Sequence, residues 1–197
     1  MMESKYRALY EASEEHAGTP KALLQSNNDA LAQKRLEAAA GLVAKNAGTA
    51  GSVLDVGCGH GGLIGFLPGS MSYFGIDPFP WIVEEAKSRY PDRMFAETTL
   101  EDMTPFRPFD VVCAIGVISS TPKDGLQLFA KHALRLARRA VVLAYYREGD
   151  YDGMFNSYSD QEIEDAFGAA PRDEWKVHLK DDKHTLIALP AGGRYAA

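Results

Sequence analysis

Only two cysteines, Cys58 and Cys113, occur in the 197 residues. They are too few for a disulfide framework and lack the four-ligand spacing of a structural metal site, so both are expected as buried free thiols in a reducing compartment. No apolar run approaches the roughly 18 residues needed to cross a bilayer. The first turns of the chain interleave Glu3, Lys5, Arg7, Glu11, Glu14 and Glu15 with apolar residues, which excludes the unbroken core of a secretion signal. The expectation is a cytoplasmic protein with no membrane attachment. Positive charge is scarce as well: 21 Lys and Arg stand against 27 Asp and Glu, a formal net charge of -6. Polyanion binding draws on many phosphate-neutralising cations, so nucleic acid is disfavoured as a partner and a small neutral or cationic molecule fits better. The one basic cluster, Lys131, His132, Arg135, Arg138 and Arg139, falls where a helix is predicted to end, and cations favour the negative end of its dipole.

The length suits one α/β domain with a real core, as monomer or homodimer, and 46% hydrophobic with 24% charged residues is ordinary for a globular protein. Helical periodicity marks Ser4 to His16 and Asn28 to Asn46, separated by Gly18, Thr19 and Pro20. Short apolar runs predict strands at Ser52 to Val56, Tyr73 to Ile76, Met94 to Thr98, Asp110 to Ile115 and Ala140 to Tyr146. Between them a loop and helix are expected from Gly57 to about Leu67 and helices at Pro80 to Tyr90 and Pro122 to Arg139, with another at Asp160 to Phe167. Trp175 to Leu179 and Thr185 to Leu189 read as a closing antiparallel pair. The fold class is therefore α/β: a Rossmann-like, seven-stranded, mostly parallel sheet with helices on both faces, an antiparallel C-terminal strand pair and an N-terminal helical extension. Such sheets bind ligands beyond the carboxyl ends of their strands, at the switch point.

The most informative segment is Val53-Leu54-Asp55-Val56-Gly57-Cys58-Gly59-His60-Gly61-Gly62, a strand emptying into a glycine loop. Glycines there let the backbone turn tightly and approach a ligand. The pattern Gly57-x-Gly59-x-x-Gly62 serves both NAD and S-adenosylmethionine. Asp55 separates them on charge, because a carboxylate at the strand end opposes a pyrophosphate but suits an ammonium or sulfonium group. Asp77, twenty residues beyond Gly57, is placed to accept from both ribose hydroxyls of either ligand.

With VLDVGCGHG as first motif and FGIDPFPWIVEEAKSRYP as second, the sequence resembles the class I S-adenosylmethionine-dependent methyltransferases over roughly residues 50 to 147. A closer likeness is to small members with FDVVCAIGVIS (Phe109 to Ser119), in which Tyr151-Asp152, His184 and Thr185 would be matching positions. The resemblance implies S-adenosyl-L-methionine as cofactor, with Gly57, Cys58, Gly59, Ala114 and Ile115 around its methionine part and Asp55 organising the loop. It also implies Asp77 on the ribose and Pro78 and Phe79 flanking the adenine. The usual acidic residue after the third strand is Thr99 here, ahead of Leu100-Glu101-Asp102, so Glu101 or Asp102 would take the adenine amino group or else only solvate the loop. In this reading residues 1–49 are a helical extension, 50–147 the cofactor-binding core and 148–197 the substrate-side segment of a single domain.

The implied reaction is in-line displacement to a small-molecule acceptor, in which alignment does much of the work and a fixed catalytic motif is not obligatory. The fourth strand ends in Ala114-Ile115-Gly116-Val117 rather than an Asn- or Asp-Pro-Pro-aromatic motif, and neither cysteine follows a proline, so both nucleobase chemistries lose support. Asp181-Asp182, the one close acidic pair near the C-terminal hairpin, reads more simply as a solvated turn than as a metal site. Of five histidines, His184 is the candidate catalytic base facing the substrate; His60 lies in the glycine loop with a flanking role, and His16 and His132 fall on helix surfaces. Tyr6, Tyr10, Tyr145, Tyr146, Arg147, Tyr151, Phe155 and Tyr158 make the segments that usually cover the acceptor pocket rich in aromatics. Gln33 and Arg35 could reach the cofactor carboxylate, or simply face solvent. Two other functions fit the fold: a non-catalytic cofactor-binding regulator, and a nicotinamide-dependent oxidoreductase, against which stands the lack of a Tyr-x-x-x-Lys spacing after the fourth or fifth strand.

Overall fold

The computed structural model describes residues 30–104, 107–147, 155–171, 173–179 and 184–191. The helix expected at Ser4 to His16 lies outside them. Seven strands form one sheet: β1 (Ser52–Val56), β2 (Ser72–Asp77), β3 (Met94–Glu97), β4 (Phe109–Ile115), β5 (Ala137–Tyr146), β6 (Lys176–His178) and β7 (His184–Pro190). Their order is β3-β2-β1-β4-β5-β7-β6, with β1 to β5 parallel and β7 antiparallel to both β5 and β6. The chain goes outward from β1 to β3, then returns to β4 on the other side of β1. The switch point therefore lies between the carboxyl ends of β1 and β4.

Alternating side chains divide the core into two layers. Val53, Tyr73, Val111, Cys113, Val142, Ala144 and Leu186 face one side, where they meet Ala39 and Val43 of α1 (Ala30–Ala47) and Val83 and Ala86 of α2 (Pro80–Arg89). Leu54, Val112, Ala114, Val141, Leu143 and Tyr145 face the other, against Phe129, Ala130 and Ala133 of α3 (Leu126–Leu136) and Ile163 and Phe167 of α4 (Asp160–Phe167). Helix α4 has a reciprocal capping box between Ser159 and Glu162 and ends at Gly168 in the left-handed region, φ 62°.

Three boundaries differ from expectation. In the loop and helix anticipated from Gly57 to Leu67, the helical part is only a short 3-10 segment, Gly62–Phe66, because five glycines in this stretch remove helical propensity and Pro68 blocks extension. The helix anticipated from Pro122 begins as a 3-10 turn at Lys123–Gly125 and becomes α-helical only over Leu126–Leu136. Strand β5 starts at Ala137, so Arg138 and Arg139 belong to a strand rather than a helix end. Phe109 pairs with Ala137 and Val111 with Ala140, a bulge that sets two arginines opposite Asp110. Both reach its Oδ1, Arg138 Nη2 at 2.8 Å and Arg139 Nε at 3.3 Å. Burial alone would raise the Asp110 carboxyl, but hydrogen bonds from the Ser52 N–H and hydroxyl and from Arg138 hold it below the usual range. That network lies at the end of the sheet opposite the switch point.

Candidate functional site

Strand β1 hands directly into the glycine loop. Gly57, Gly59 and Gly61 all adopt positive φ, at 64°, 53° and 79°. At Gly57 the requirement is double, since a Cβ there would stand 2.4 Å from Cγ2 of Val117, just past the end of β4. The two strand ends thus touch across the switch point, leaving bare backbone for a ligand. Cys58 turns inward: its N–H donates to the Ile76 carbonyl at 3.0 Å, and its Sγ occupies the space where Gly75 has no side chain. Burial, with Asp55 and Asp77 nearby, pushes its thiol far up, so Cys58 anchors the loop and is no nucleophile. Cys113, buried in β4 and raised likewise by burial, is equally inert.

Two carboxyl groups flank this turn. Asp55, on the α1 and α2 side of β1, is 4% exposed and accepts the Tyr73 hydroxyl on Oδ2 at 2.7 Å. Burial pushes it up to about 7; the Tyr73 hydrogen bond pulls the other way, and the Asp77 charge adds to the rise. Asp77, 5% exposed at the end of β2, accepts the Gly59 N–H on Oδ2 at 3.2 Å and the Phe79 N–H on Oδ1 at 3.1 Å. It stands at about 6, raised by burial against those two hydrogen bonds. Desolvated carboxyls beside open glycine backbone form a donor and charge set that fits a ligand with hydroxyls and a positive centre, and repels a phosphate.

Around this pair the other sequence candidates fall as follows. Pro78 is exposed and Phe79 half-buried, in the turn that starts α2. Leu100 is buried, Glu101 is half-buried and Asp102 is exposed. The Thr99 hydroxyl meets Asp102 Oδ2 at 2.9 Å and the Asp102 N–H at 3.3 Å, which closes the turn that follows β3. Ala114 is fully buried on the α3 side, and Ile115 is half-buried on the α1 side at the end of β4. On α1 Gln33 is exposed and Arg35 half-buried. His60 lies with Nε2 3.2 Å from Glu85 Oε2 and edge-on to Trp81, so it joins the loop to α2; burial lowers its pKa, opposed by Glu85 and assisted by Arg89.

His184, the first residue of β7, is 4% exposed and pairs with Tyr146 at the end of β5. Their rings are 4.0 Å apart, and the Tyr146 ring lies 5.3 Å from that of Phe155. This aromatic group sits at the carboxyl edge of the sheet, one strand beyond the switch point. Tyr145 instead faces α4, donating to Asp160 Oδ1 at 2.6 Å, and belongs to the core. Tyr151 and the Asp181-Asp182 pair lie outside the described residues.

Sequence reasoning missed a clasp between the loop after β4 and the segment after β5. The Asn156 N–H donates to the Ser119 carbonyl and its Nδ2 to that of Thr121, both at 2.7 Å. The Tyr158 hydroxyl reaches the Ile118 and Thr121 carbonyls at 3.2 and 3.0 Å. Ser119 Oγ receives the Tyr146 N–H at 3.0 Å. The polarity of Phe155-Asn156-Ser157-Tyr158, next to a strand end, was the available signal.

Residues 53–140 match the methyltransferase-domain family. The match covers β1 to β4, the glycine loop and Asp77, and the family it describes is a methyltransferase domain. No curated protein matches the chain in sequence. Among solved structures, the N-methyltransferase NodS of Bradyrhizobium japonicum WM9, in complex with S-adenosyl-L-homocysteine, is similar at a TM-score of 0.75 and 14% identity, covering 92% of this chain and 97% of that one. Magnesium protoporphyrin IX methyltransferase of Synechocystis PCC 6803, with bound SAM, has a TM-score of 0.67 at 19% identity over 80% and 78% of the two chains. A TehB-like SAM-dependent methyltransferase from Corynebacterium glutamicum gives 0.65 at 18% identity over 91% and 97%. The shared fold covers more of this chain than residues 53–140.

Proposed function

We propose that the chain transfers the methyl group of S-adenosyl-L-methionine to a small-molecule acceptor, as a cytoplasmic enzyme. When bound, the cofactor supplies an activated methyl: the acceptor's lone pair forms the new bond to carbon as the carbon–sulfur bond breaks and its electron pair stays on sulfur. Gly57, Cys58, Gly59, Ala114 and Ile115 provide the backbone for the methionine part, Asp55 supports the loop from below, and Asp77 takes the ribose. Pro78 and Phe79 flank the adenine, with Leu100 beneath it and Glu101 on its amino group. Asp102 is already engaged with Thr99, which makes Glu101 the better adenine contact of the two. Residues 50–147 serve as the cofactor core and 148–197 as the acceptor side of one domain.

The observation that carries this reading is the placement of Asp55 and Asp77, both buried, on the ends of adjacent strands around the glycine turn. A dinucleotide pyrophosphate would bring further negative charge to that spot, whereas a sulfonium ligand with a ribose satisfies both carboxyls. Calorimetric titration with S-adenosylmethionine, S-adenosylhomocysteine and NADH, repeated on Asp77→Ala, tests it. The expected result is binding of the first two, weakened at least 100-fold by the substitution; binding of NADH alone, or of none, sinks the proposal.

A further inference from the structure

The proposed cofactor site leaves the acceptor undefined, and the carboxyl edge of β5 supplies one well-placed candidate to define it. Ile115 pairs with Ala144, and Tyr146 lies two residues further along β5 on the same face of the sheet. From strand spacing and rise, its Cα is about 8 Å from that of Ile115, within reach of a ligand seated over the end of β4. Ile115, Ala144 and Tyr146 lie on the α1 side, as Asp55 does.

Tyr146 is held on every side the described residues provide. Its N–H donates to Ser119 Oγ at 3.0 Å, and its carbonyl accepts the Tyr158 N–H at 2.9 Å. The ring lies tilted against His184 at 4.0 Å and against Phe155 at 5.3 Å. His184 is almost fully buried while Tyr146 is half-buried, so the phenol ring, not the imidazole, is the member of the pair that meets a ligand. A ring fixed by its strand, by the loop after β4 and by a closely packed aromatic neighbour is pre-organised for recognition.

We infer that Tyr146 is the specificity-determining residue of the acceptor site, with His184 as its positioning residue, and that the acceptor is an amine. This rests on the cofactor reading above. An amine that has given its proton to water brings its own lone pair, and on taking the methyl it becomes an ammonium, so positive charge arrives on the acceptor as the reaction proceeds. The negative face of an aromatic ring attracts that charge, and the net charge of -6 favours the same sign of ligand. His184 then acts through the ring it supports, without carrying a proton itself.

The test is ligand-observed NMR on the full chain saturated with S-adenosylhomocysteine, using tetramethylammonium as the methylated-amine probe and neopentyl alcohol as its neutral counterpart of similar shape. Tetramethylammonium is expected to bind and the alcohol not. Tyr146→Leu is expected to weaken the probe about tenfold while leaving S-adenosylhomocysteine affinity within about twofold, which also reports that the variant is folded. Tyr146→Phe should retain the probe, and His184→Ala should weaken it by less than Tyr146→Leu does. Equal binding of the two probes, no probe binding to the saturated protein, or binding indifferent to Tyr146→Leu overturns the assignment. If S-adenosylhomocysteine itself fails to bind the unmodified protein, the cofactor reading falls and this inference falls with it.

Discussion

The phenol of Tyr73 donates a 2.7 Å hydrogen bond to the carboxyl of Asp55, and both residues are only 4% exposed. The bond joins β2 to β1 beneath the glycine loop and is the neighbour that offsets part of the cost of burying an acid there.

That cost has a definite pH dependence. The folded Asp55 carboxyl, at about 7, lies above the ordinary carboxylate value of 3.8, so between those pH values the native chain binds a proton that the unfolded chain has lost. Stability therefore declines as pH rises through this window and stays lower above it, by about 4 kcal/mol from this group alone. Asp55→Asn removes the titration. Thermal melts should show the variant more stable than the parent at pH 8, with the gap narrowing toward pH 4, while S-adenosylmethionine binding weakens. A constant gap across pH would refute the burial argument.

Gly57→Ala meets two obstacles at once, the left-handed φ of 64° and the Val117 methyl 2.4 Å away. A loss of about 2–4 kcal/mol in urea unfolding is expected. Adding Val117→Ala should recover the steric part and leave roughly 1–2 kcal/mol of backbone strain. Strictly additive single effects would show that the contact across the switch point is unimportant.

Where the sequence could be read, the reason is local. The apolar runs of β1, β4 and β5 are set by short-range patterning, and Asp55 and Asp77 stand at the ends of the adjacent strands β1 and β2 with Gly57 and Gly59 in the loop between, so the spacing along the chain pointed to them. The 3-10 turn at Gly62–Phe66 and the start of β5 at Ala137 were misjudged because glycine content and the pairing of Arg138 and Arg139 with Asp110 outweigh helical periodicity. Of the clasp of Ser119, Asn156 and Tyr158 only a polar stretch beside a strand end was legible, since its bonds join segments 35 or more residues apart through backbone carbonyls that carry no sequence signature.

The clasp can be weighed directly. Tyr158 is 1% exposed and its hydroxyl reaches the Ile118 and Thr121 carbonyls, which also accept from the Thr121 N–H and from Asn156 Nδ2, so Tyr158→Phe removes a buried hydrogen bond without stranding either carbonyl. Denaturant melts should give about 0.5–1.5 kcal/mol of destabilisation, with faster amide exchange at Ser120 and Thr121. Unchanged stability would mean that water replaces the hydroxyl there.

For the adenine end, Glu101→Ala is expected to weaken S-adenosylmethionine about tenfold or more, and Asp102→Ala by less than threefold, in calorimetric titration. The reverse order would transfer the amino-group contact to Asp102 and require the Thr99 turn to open on binding.

The single 3-10 turn after the glycine loop also limits what this scaffold can become. Phosphate sites on related sheets draw on the aligned peptide dipoles of a long helix aimed at the anion. Five residues, Gly62–Phe66, assemble almost none of that field. Replacing Asp55 by a neutral residue would lift the repulsion and still leave nothing to attract a pyrophosphate, so a change of cofactor class would require rebuilding an entire segment of backbone. The loop is committed to its ligand by its architecture as well as by its charge.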